Sequence, residues 1–171
     1  MRRHSHVEPL TVEHRRQEFA CASDGLTAWF RRHALRAQQA ATSKVYVVRR
    51  LSDDLVIGFY ALAGGSVRRR DATERVLKGT GRYEEVPAII LTRLAVDRTE
   101  AGRGLGRALL KDGFHRVLRA SEIVGIRVLL VHAETERARD WYMKIARFEQ
   151  SPVDDRQLLL LMKDLRRSVS G

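Results

Sequence analysis

Sulfur and long apolar segments are both scarce in this sequence. The chain contains a single cysteine, Cys21, which excludes an intrachain disulfide and any zinc site built from several cysteines. The longest apolar run, residues 158–162, is too short to cross a bilayer, and no apolar stretch follows the basic start at residues 1–6. We therefore expect a protein of a reducing compartment, the cytoplasm, with no membrane segment and no bound metal.

Acidic side chains are outnumbered as well. The chain has 32 Lys and Arg but only 21 Asp and Glu, which gives a formal net charge of +11. A surface of this sign attracts polyanions such as nucleic acids, but arginines that are merely solvated would produce the same total. The composition thus permits a nucleic-acid partner and does not require one.

The size of the chain favours one domain. Its 171 residues are 44% hydrophobic, which is enough for a single substantial core, and no repeat or low-complexity tract divides them. We expect one domain over residues 1–171, with flexible ends at 1–8 and 166–171.

Hydrophobic periodicity predicts a mixed α/β sheet protein. Asp24 is the expected N-cap of a first helix, and Gly64 and Gly65 are expected to end a hairpin. Residues 66–85 show little periodicity and are expected to form a long, partly helical surface excursion. The other predicted elements are strands at 44–50, 56–63, 89–96, 128–131 and 158–162, a helix at 104–120, and a helix capped by Thr135.

A glycine cluster follows the predicted strand that ends near Val96. The sequence Gly102-Arg103-Gly104-Leu105-Gly106-Arg107-Ala108 stands between that strand and the next helix. Glycines allow positive φ and a close approach of the backbone to a ligand, while the free N–H groups at a helix N-terminus favour a pyrophosphate. The spacing matches neither the P-loop nor the dinucleotide-binding fingerprint. Taken alone, the cluster is also compatible with a purely structural turn.

This strand, loop and helix resemble the GNAT acetyltransferases, whose cofactor loop has the pattern Gln/Arg-x-x-Gly-x-Gly/Ala. Aligned on Gly104 and Gly106, the first position is Ala101, and residues 103–108 fit the pattern in a second register. The resemblance implies the GNAT fold, a mixed and mostly antiparallel sheet with a central splayed pair of parallel strands and flanking helices. It also implies acetyl-CoA as the acetyl donor. The implied cofactor contacts are Leu94, Ala95, Val96, Gly102, Arg103, Gly104, Leu105, Gly106, Arg107 and Ala108.

A second segment resembles the same family. Ala138-Arg139-Asp140-Trp141-Tyr142 is similar to the family's helix signature Ala-x-x-Phe-Tyr. In that family the tyrosine hydroxyl lies near the thioester sulfur and acts as a general acid, which implies this role for Tyr142. A core position on an amphipathic helix is the alternative for this residue. No general base stands out, and an α-amino group is partly neutral near pH 7 without one.

The resemblance extends over most of residues 9–165 and is strongest to the aminoacyl-tRNA-acetylating toxins of bacterial toxin–antitoxin systems. It implies transfer of acetyl to the α-amino group of aminoacyl-tRNA and a block of translation. It also implies a homodimer and a ribbon-helix-helix antitoxin, through which alone the protein would contact DNA. The predicted RNA contacts are Arg68, Arg69, Arg70 and Arg93, with Arg31, Arg32 and Arg36 as further candidates.

Two alternatives stay open at the level of sequence. The enzyme could acetylate a small amine or a protein N-terminus, in which case the basic surface has no substrate role. The fold could also bind acyl-CoA without catalysis, as a regulator. Tyr142 and the nearly intact loop pattern together argue against a non-catalytic regulator.

Overall fold

The computed structural model describes residues 1–170 and contains a seven-stranded sheet. The strand order is β1-β2-β3-β4-β5-β7-β6. The strands are β1 (Glu8–Pro9), β2 (Lys44–Arg49), β3 (Val56–Arg68), β4 (Glu85–Val96), β5 (Val128–His132), β6 (Glu149–Gln150) and β7 (Gln157–Leu161). The helices are α1 (Asp24–Arg32), α2 (Ala34–Ala40), α3 (Glu74–Leu77), α4 (Leu105–Ser121), α5 (Glu136–Ile145) and α6 (Met162–Ser170).

Backbone contacts divide the chain into two compact units. The first comprises Met1–Ala63 and Thr92–Gly113, and the second comprises Gly64–Leu91 and Phe114–Gly171. The strands β3 and β4 and the helix α4 each run from one unit into the other.

Aromatic side chains form the centre of the first unit. Phe30 of α1 and Phe59 of β3 are fully buried and stack with ring centroids 4.3 Å apart, while Phe19 packs against both. The strands β1 and β2 and the early part of β3 pair antiparallel beside this cluster. The N-cap of α1 is Ser23, whose hydroxyl accepts a hydrogen bond from the amide of Leu26, so the expectation that Asp24 caps this helix was wrong by one residue.

Aliphatic side chains form the core of the second unit. Val128 and Leu130 of β5 pack with Leu159 and Leu161 of β7, and with apolar residues of the excursion such as Val76. The excursion is ordered by polar contacts. Arg127 donates hydrogen bonds to the carbonyl oxygens of Arg75, Val76 and Lys78.

A parallel strand pair lies at the centre of the sheet. β4 and β5 run parallel in a register from Ala88 opposite Val128 to Leu91 opposite Val131, while β5 pairs antiparallel with β7 and β7 with β6. The expected mixed, mostly antiparallel sheet with a central parallel pair is therefore confirmed. Thr135 caps α5 as expected, because its side chain accepts a hydrogen bond from the amide of Ala138.

Two predicted element boundaries were wrong. Gly64 and Gly65 do not end a hairpin, because β3 continues through them to Arg68. A Cβ atom at Gly65 would lie 2.5 Å from Ile90 Cδ1, so a close approach inside the sheet explains this glycine, not a turn. The last strand ends at Leu161, and Met162 begins the helix α6, which the sequence analysis did not predict.

Both ends of the described chain make backbone hydrogen bonds. Ser5 donates its amide to the Arg49 carbonyl, Leu51 donates its amide to Arg3, and residues 166–170 lie in α6. We had expected flexible ends at 1–8 and 166–171; residue 171 is outside the described residues. Among residues 1–170, no helix has the length and apolar character needed to span a bilayer.

Candidate functional site

The glycine loop leads directly into the N-terminus of α4. Gly102 and Gly104 have φ angles of +75° and +85°, in the left-handed region that L-residues with side chains rarely adopt. No atom lies within 4 Å of an ideal Cβ at either position, so the glycines are explained by backbone conformation and not by crowding. Of the predicted loop contacts, Leu105 to Ala108 form the first turn of the helix, which begins at Leu105.

The loop presents a continuous run of backbone donors. Within residues 1–170, none of the amides of residues 102–107 has a hydrogen-bond acceptor, whereas the amide of Ala108 donates to the Gly104 carbonyl. The first turn of α4 contains no acidic side chain. Six unpaired amides at the positive end of a 17-residue helix form a site suited to a phosphate or pyrophosphate.

The strand before the loop has an unpaired edge. The register of β4 with β5 ends at Leu91, and β4 continues for five more residues. The amide of Asp97, just after β4, donates to the Ile57 carbonyl of β3. Because successive residues of a strand point their peptide groups to opposite edges, those of Leu94 and Val96 point away from β3. These groups are free to pair with an extended ligand, as a strand edge does in peptide recognition.

Tyr142 lies in the second unit with a buried ring and an accessible hydroxyl. Its ring makes edge contacts with Trp141 and Phe148, at centroid distances of 4.9 and 5.8 Å, and the residue is only 7% exposed. Within residues 1–170, the hydroxyl has no hydrogen-bond partner and is not among the fully buried, unpartnered polar atoms. The oxygen is therefore open to a ligand or to water.

Burial also sets the protonation of this phenol. Because desolvation penalises the phenolate, it raises the pKa of Tyr142 well above its usual value near 10. The group therefore stays protonated across the physiological range and is available as a proton donor. A core role for the ring and a chemical role for the hydroxyl are compatible, because they involve different atoms.

The chain has a curated relative of similar length. The tRNA-acetylating toxin of Mycobacterium tuberculosis (strain ATCC 25618 / H37Rv) is 44% identical to it over 148 residues, which are 86% of each chain. The chain belongs to the GNAT-type tRNA-acetylating toxins. It is therefore an N-acetyltransferase of this family. No protein-family model matches the sequence.

Solved structures of GNAT toxins have the same fold. AtaT in complex with acetyl-methionyl-tRNAfMet is 26% identical and superposes with a TM-score of 0.87, covering 96% of this chain and 98% of that one. AtaTR bound with AcCoA is 26% identical, with a TM-score of 0.82 and 98% of both chains covered. A tyrosine-to-phenylalanine mutant of AtaT bound to the C-terminus of the antitoxin AtaR is 25% identical, with a TM-score of 0.84 and coverage of 99% and 100%.

A buried carboxylate lies just before the glycine loop and contacts it through Arg103. Glu100 is 2% exposed; its Oε1 accepts a hydrogen bond from Arg50 Nη1 at 3.1 Å, and its Oε2 lies 3.4 Å from His4 Nε2 and 3.8 Å from Arg103 Nη1. The sequence analysis did not identify this role. The principal partner, Arg50, is 50 residues away in the chain, so no local pattern reports the contact.

We expect Glu100→Gln to lower the free energy of unfolding by about 1.5–3 kcal/mol, the usual range for hydrogen bonds to charged groups. Desolvation raises the pKa of Glu100, but the hydrogen bond from Arg50 and the charges of His4 and Arg103 outweigh it, so the net pKa is lowered. This stabilisation is present above the unfolded-state pKa and is lost as the pH falls through the folded-state pKa. Urea unfolding of both proteins between pH 7 and pH 3 measures the effect.

The matched control is Glu122→Gln, because Glu122 is exposed in the turn just after α4. The difference between the native protein and Glu100→Gln should shrink toward acid pH, whereas the Glu122 variant should match the native protein throughout. An equal loss of stability in the two variants would contradict the role of Glu100.

The predicted RNA contacts do not share one environment. Arg69 Nη1 donates to the carbonyl oxygens of Gly81 and Tyr83 and so fixes the excursion, while Arg68 and Arg70 are exposed. Arg93 is half-buried and stacks on Trp29. Of the further candidates, Arg31 donates to the Phe19 carbonyl, and the side chains of Arg32 and Arg36 are exposed.

Other ionisable groups near these segments give no clear catalytic base. His132 is exposed at the end of β5, and Glu134 is exposed before α5. Residues 1–170 contain no group of three or more His, Cys, Asp or Glu side chains placed to hold a metal ion.

Proposed function

We propose that this protein is an acetyl-CoA-dependent toxin that transfers acetyl to the α-amino group of aminoacyl-tRNA and thereby blocks translation. The observation that carries this proposal is the 44% identity to a tRNA-acetylating toxin over 86% of both chains. The unpaired amides of residues 102–107 and the free hydroxyl of Tyr142 supply the chemistry that the reaction requires.

We assign cofactor binding to the loop and the strand before it. The amides of residues 102–107 donate hydrogen bonds to the pyrophosphate oxygens, and the exposed side chains of Arg103 and Arg107 add positive charge. The free peptide groups of Leu94 and Val96 pair with the amides of pantetheine. The amide of Ala108 is committed to the Gly104 carbonyl, so this residue contributes packing and not a hydrogen bond.

We assign the general acid to Tyr142. The neutral amine of the substrate attacks the acetyl carbonyl carbon, a tetrahedral oxyanion forms, and its collapse breaks the carbon–sulfur bond. The phenol of Tyr142 donates its proton to the departing thiolate and regains one from solvent. The amine loses its own proton to water, since no carboxylate or imidazole occupies a clear position as a base.

The net charge of +11 suits an RNA substrate. Arg68 and Arg70 are the exposed members of the Arg68–Arg70 tract and remain candidates for backbone phosphates, whereas Arg69 is engaged within the chain. As partners we propose a second copy of this chain and an antitoxin of the ribbon-helix-helix type. The complex between AtaT and the C-terminus of AtaR supports the antitoxin. Because the proposed substrate is used in translation, we also propose a cytoplasmic location.

Mass spectrometry of RNA tests the function. Charged transfer RNA is incubated with the protein and acetyl-CoA, digested, and analysed for N-acetyl-aminoacyl-adenosine. We expect acetylation of one or more charged species, and much less acetylation of the free amino acids and of peptides. Efficient acetylation of a polyamine or a protein amine, with none on any charged isoacceptor, would reject the RNA substrate and leave the acetyltransferase.

A further inference from the structure

Arg93 is held by an aromatic ring and not by a carboxylate. Its Cζ atom lies 4.0 Å from the centroid of the Trp29 ring. Trp29 itself stacks against Phe59, with centroids 6.0 Å apart and planes at 21°, and Phe59 is fully buried. The core of the first unit therefore fixes the plane of the guanidinium through Trp29.

Among the described residues, the guanidinium of Arg93 has no counter-charge. Within residues 1–170, Arg93 makes no hydrogen bond or ion pair, although burial is sufficient to lower its pKa. Its nitrogen atoms are not among the fully buried, unpartnered polar atoms, so they remain accessible to solvent. A partly desolvated cation with a fixed plane and free donors is suited to bidentate binding of an anion.

The surroundings add positive charge. Arg32 lies one helical turn after Trp29 in α1, a spacing that brings the two side chains to neighbouring positions on the helix surface. Arg36 follows in α2, and both arginines are exposed and make no ion pair within residues 1–170. We name Trp29, Arg32, Arg36 and Arg93 the stacked-arginine patch.

The position of Arg93 along β4 separates it from the proposed phosphate loop. It precedes Leu94, and four residues of extended chain, about 13 Å at 3.3 Å each, separate it from Asp97. Pantetheine on residues 94–96 and pyrophosphate on residues 102–107 would direct the acyl end of the cofactor toward Arg93. Both the pyrophosphate and the ribose phosphate of the cofactor lie at its opposite, adenosine end.

We propose that Arg93 binds a phosphodiester of the RNA acceptor strand next to the aminoacyl ester, with Trp29 as the support of its guanidinium. This inference rests on the proposed function, because it names how that substrate is held. Arg32 and Arg36 continue the same cationic track along the strand. Arg93 acts on substrate binding and not on the acetyl transfer itself.

The test is Arg93→Gln, which removes the charge and keeps a polar side chain. We expect the KM for charged transfer RNA to rise about ten- to hundredfold, the equivalent of one charged hydrogen-bonding contact, with kcat at saturating RNA unchanged. The slope of log affinity against log salt should fall in magnitude by about 0.7, the value for one contact to a single strand. The Kd of acetyl-CoA should not change. Arg93→Lys should keep the salt slope but bind more weakly than the native protein.

The control variant is Arg166→Gln, which removes the same charge from an exposed position on α6. A second comparison uses an aminoacylated CCA oligonucleotide in which a neutral methylphosphonate replaces the last phosphodiester. The native protein and Arg166→Gln should bind the methylphosphonate oligonucleotide more weakly than the unmodified one. Arg93→Gln should bind the two oligonucleotides with nearly equal affinity.

The outcomes separate the two proposals. If the native protein acetylates charged RNA and Arg93→Gln does so with an unchanged KM, only the phosphate site is rejected. If Arg93→Gln raises the Kd of acetyl-CoA and leaves the affinity for RNA unchanged, Arg93 belongs to the cofactor site and the phosphate site is likewise rejected. If the native protein neither binds nor acetylates charged RNA, the proposed function fails and this inference fails with it.

Discussion

Tyr142→Phe is expected to lower kcat by roughly 10²–10⁴-fold, the range for loss of a general acid. The hydroxyl makes no hydrogen bond within residues 1–170, so its removal leaves no buried partner unsatisfied. The free energy of unfolding and the Kd of acetyl-CoA should therefore change little. Single-turnover acetylation measures the rate, thermal unfolding measures the stability, and calorimetric titration measures the Kd of acetyl-CoA. Expression of the variant should no longer arrest growth.

The matched control is Tyr83→Phe, which removes a hydroxyl from a side chain that is 73% exposed. Because burial raises the pKa of Tyr142, the native protein should show no loss of kcat from ionisation of this phenol below about pH 10. A variant that unfolds more easily but has normal activity per folded molecule would instead establish Tyr142 as a core residue only.

Gly104→Asp is expected to abolish detectable binding of acetyl-CoA. Two unit charges 4 Å apart repel by about 4 kcal/mol at an effective dielectric of 20, which corresponds to roughly a thousandfold in Kd. The φ angle of +85° adds a backbone penalty for any side chain. Calorimetric titration of acetyl-CoA into the folded variant measures the loss.

Two further variants separate charge from strain. Gly79 has a φ of +81° and no atom within 4 Å of an ideal Cβ, so Gly79→Asp repeats the conformational change outside the loop. Gly104→Asn repeats it inside the loop without the charge. We expect Gly79→Asp to bind acetyl-CoA with native affinity. Gly104→Asn should have a Kd between those of the native protein and Gly104→Asp. Unchanged affinity in Gly104→Asp would remove the loop from the cofactor site.

Segments with strong periodicity were predictable from the sequence, and their boundaries were less so. The helix at 104–120 and the strand at 128–131 match α4 and β5 within one residue, because each has a regular apolar pattern. The predicted hairpin end at Gly64 and Gly65 was wrong, because a glycine that ends a strand and one that admits a neighbouring side chain look alike in sequence. The contact that distinguishes them, Gly65 with Ile90, spans 25 residues.

The candidate site shows the same division. The glycine loop was predictable because its residues are consecutive, and the free amides follow from the start of a helix at that point. The burial of Glu100 and the stacking of Arg93 on Trp29 depend on partners dozens of residues away. The tract Arg68–Arg70 appeared uniform in sequence, yet the structure separates Arg69 from its neighbours by the carbonyl groups that it binds.

Within the described residues the helix α4 begins without a capping side chain, so a cofactor bound at this point would add to the stability of the protein. Its first-turn amides have no acceptor within residues 1–170 and no acidic side chain nearby in the turn. A pyrophosphate bound there would complete the helix, and a ligand at a hundred times its Kd stabilises the folded state by about 2.7 kcal/mol. The concentration of acetyl-CoA would then control the lifetime of the toxin as well as its rate. A starved cell is expected to hold a toxin that is idle and also more easily degraded by proteases.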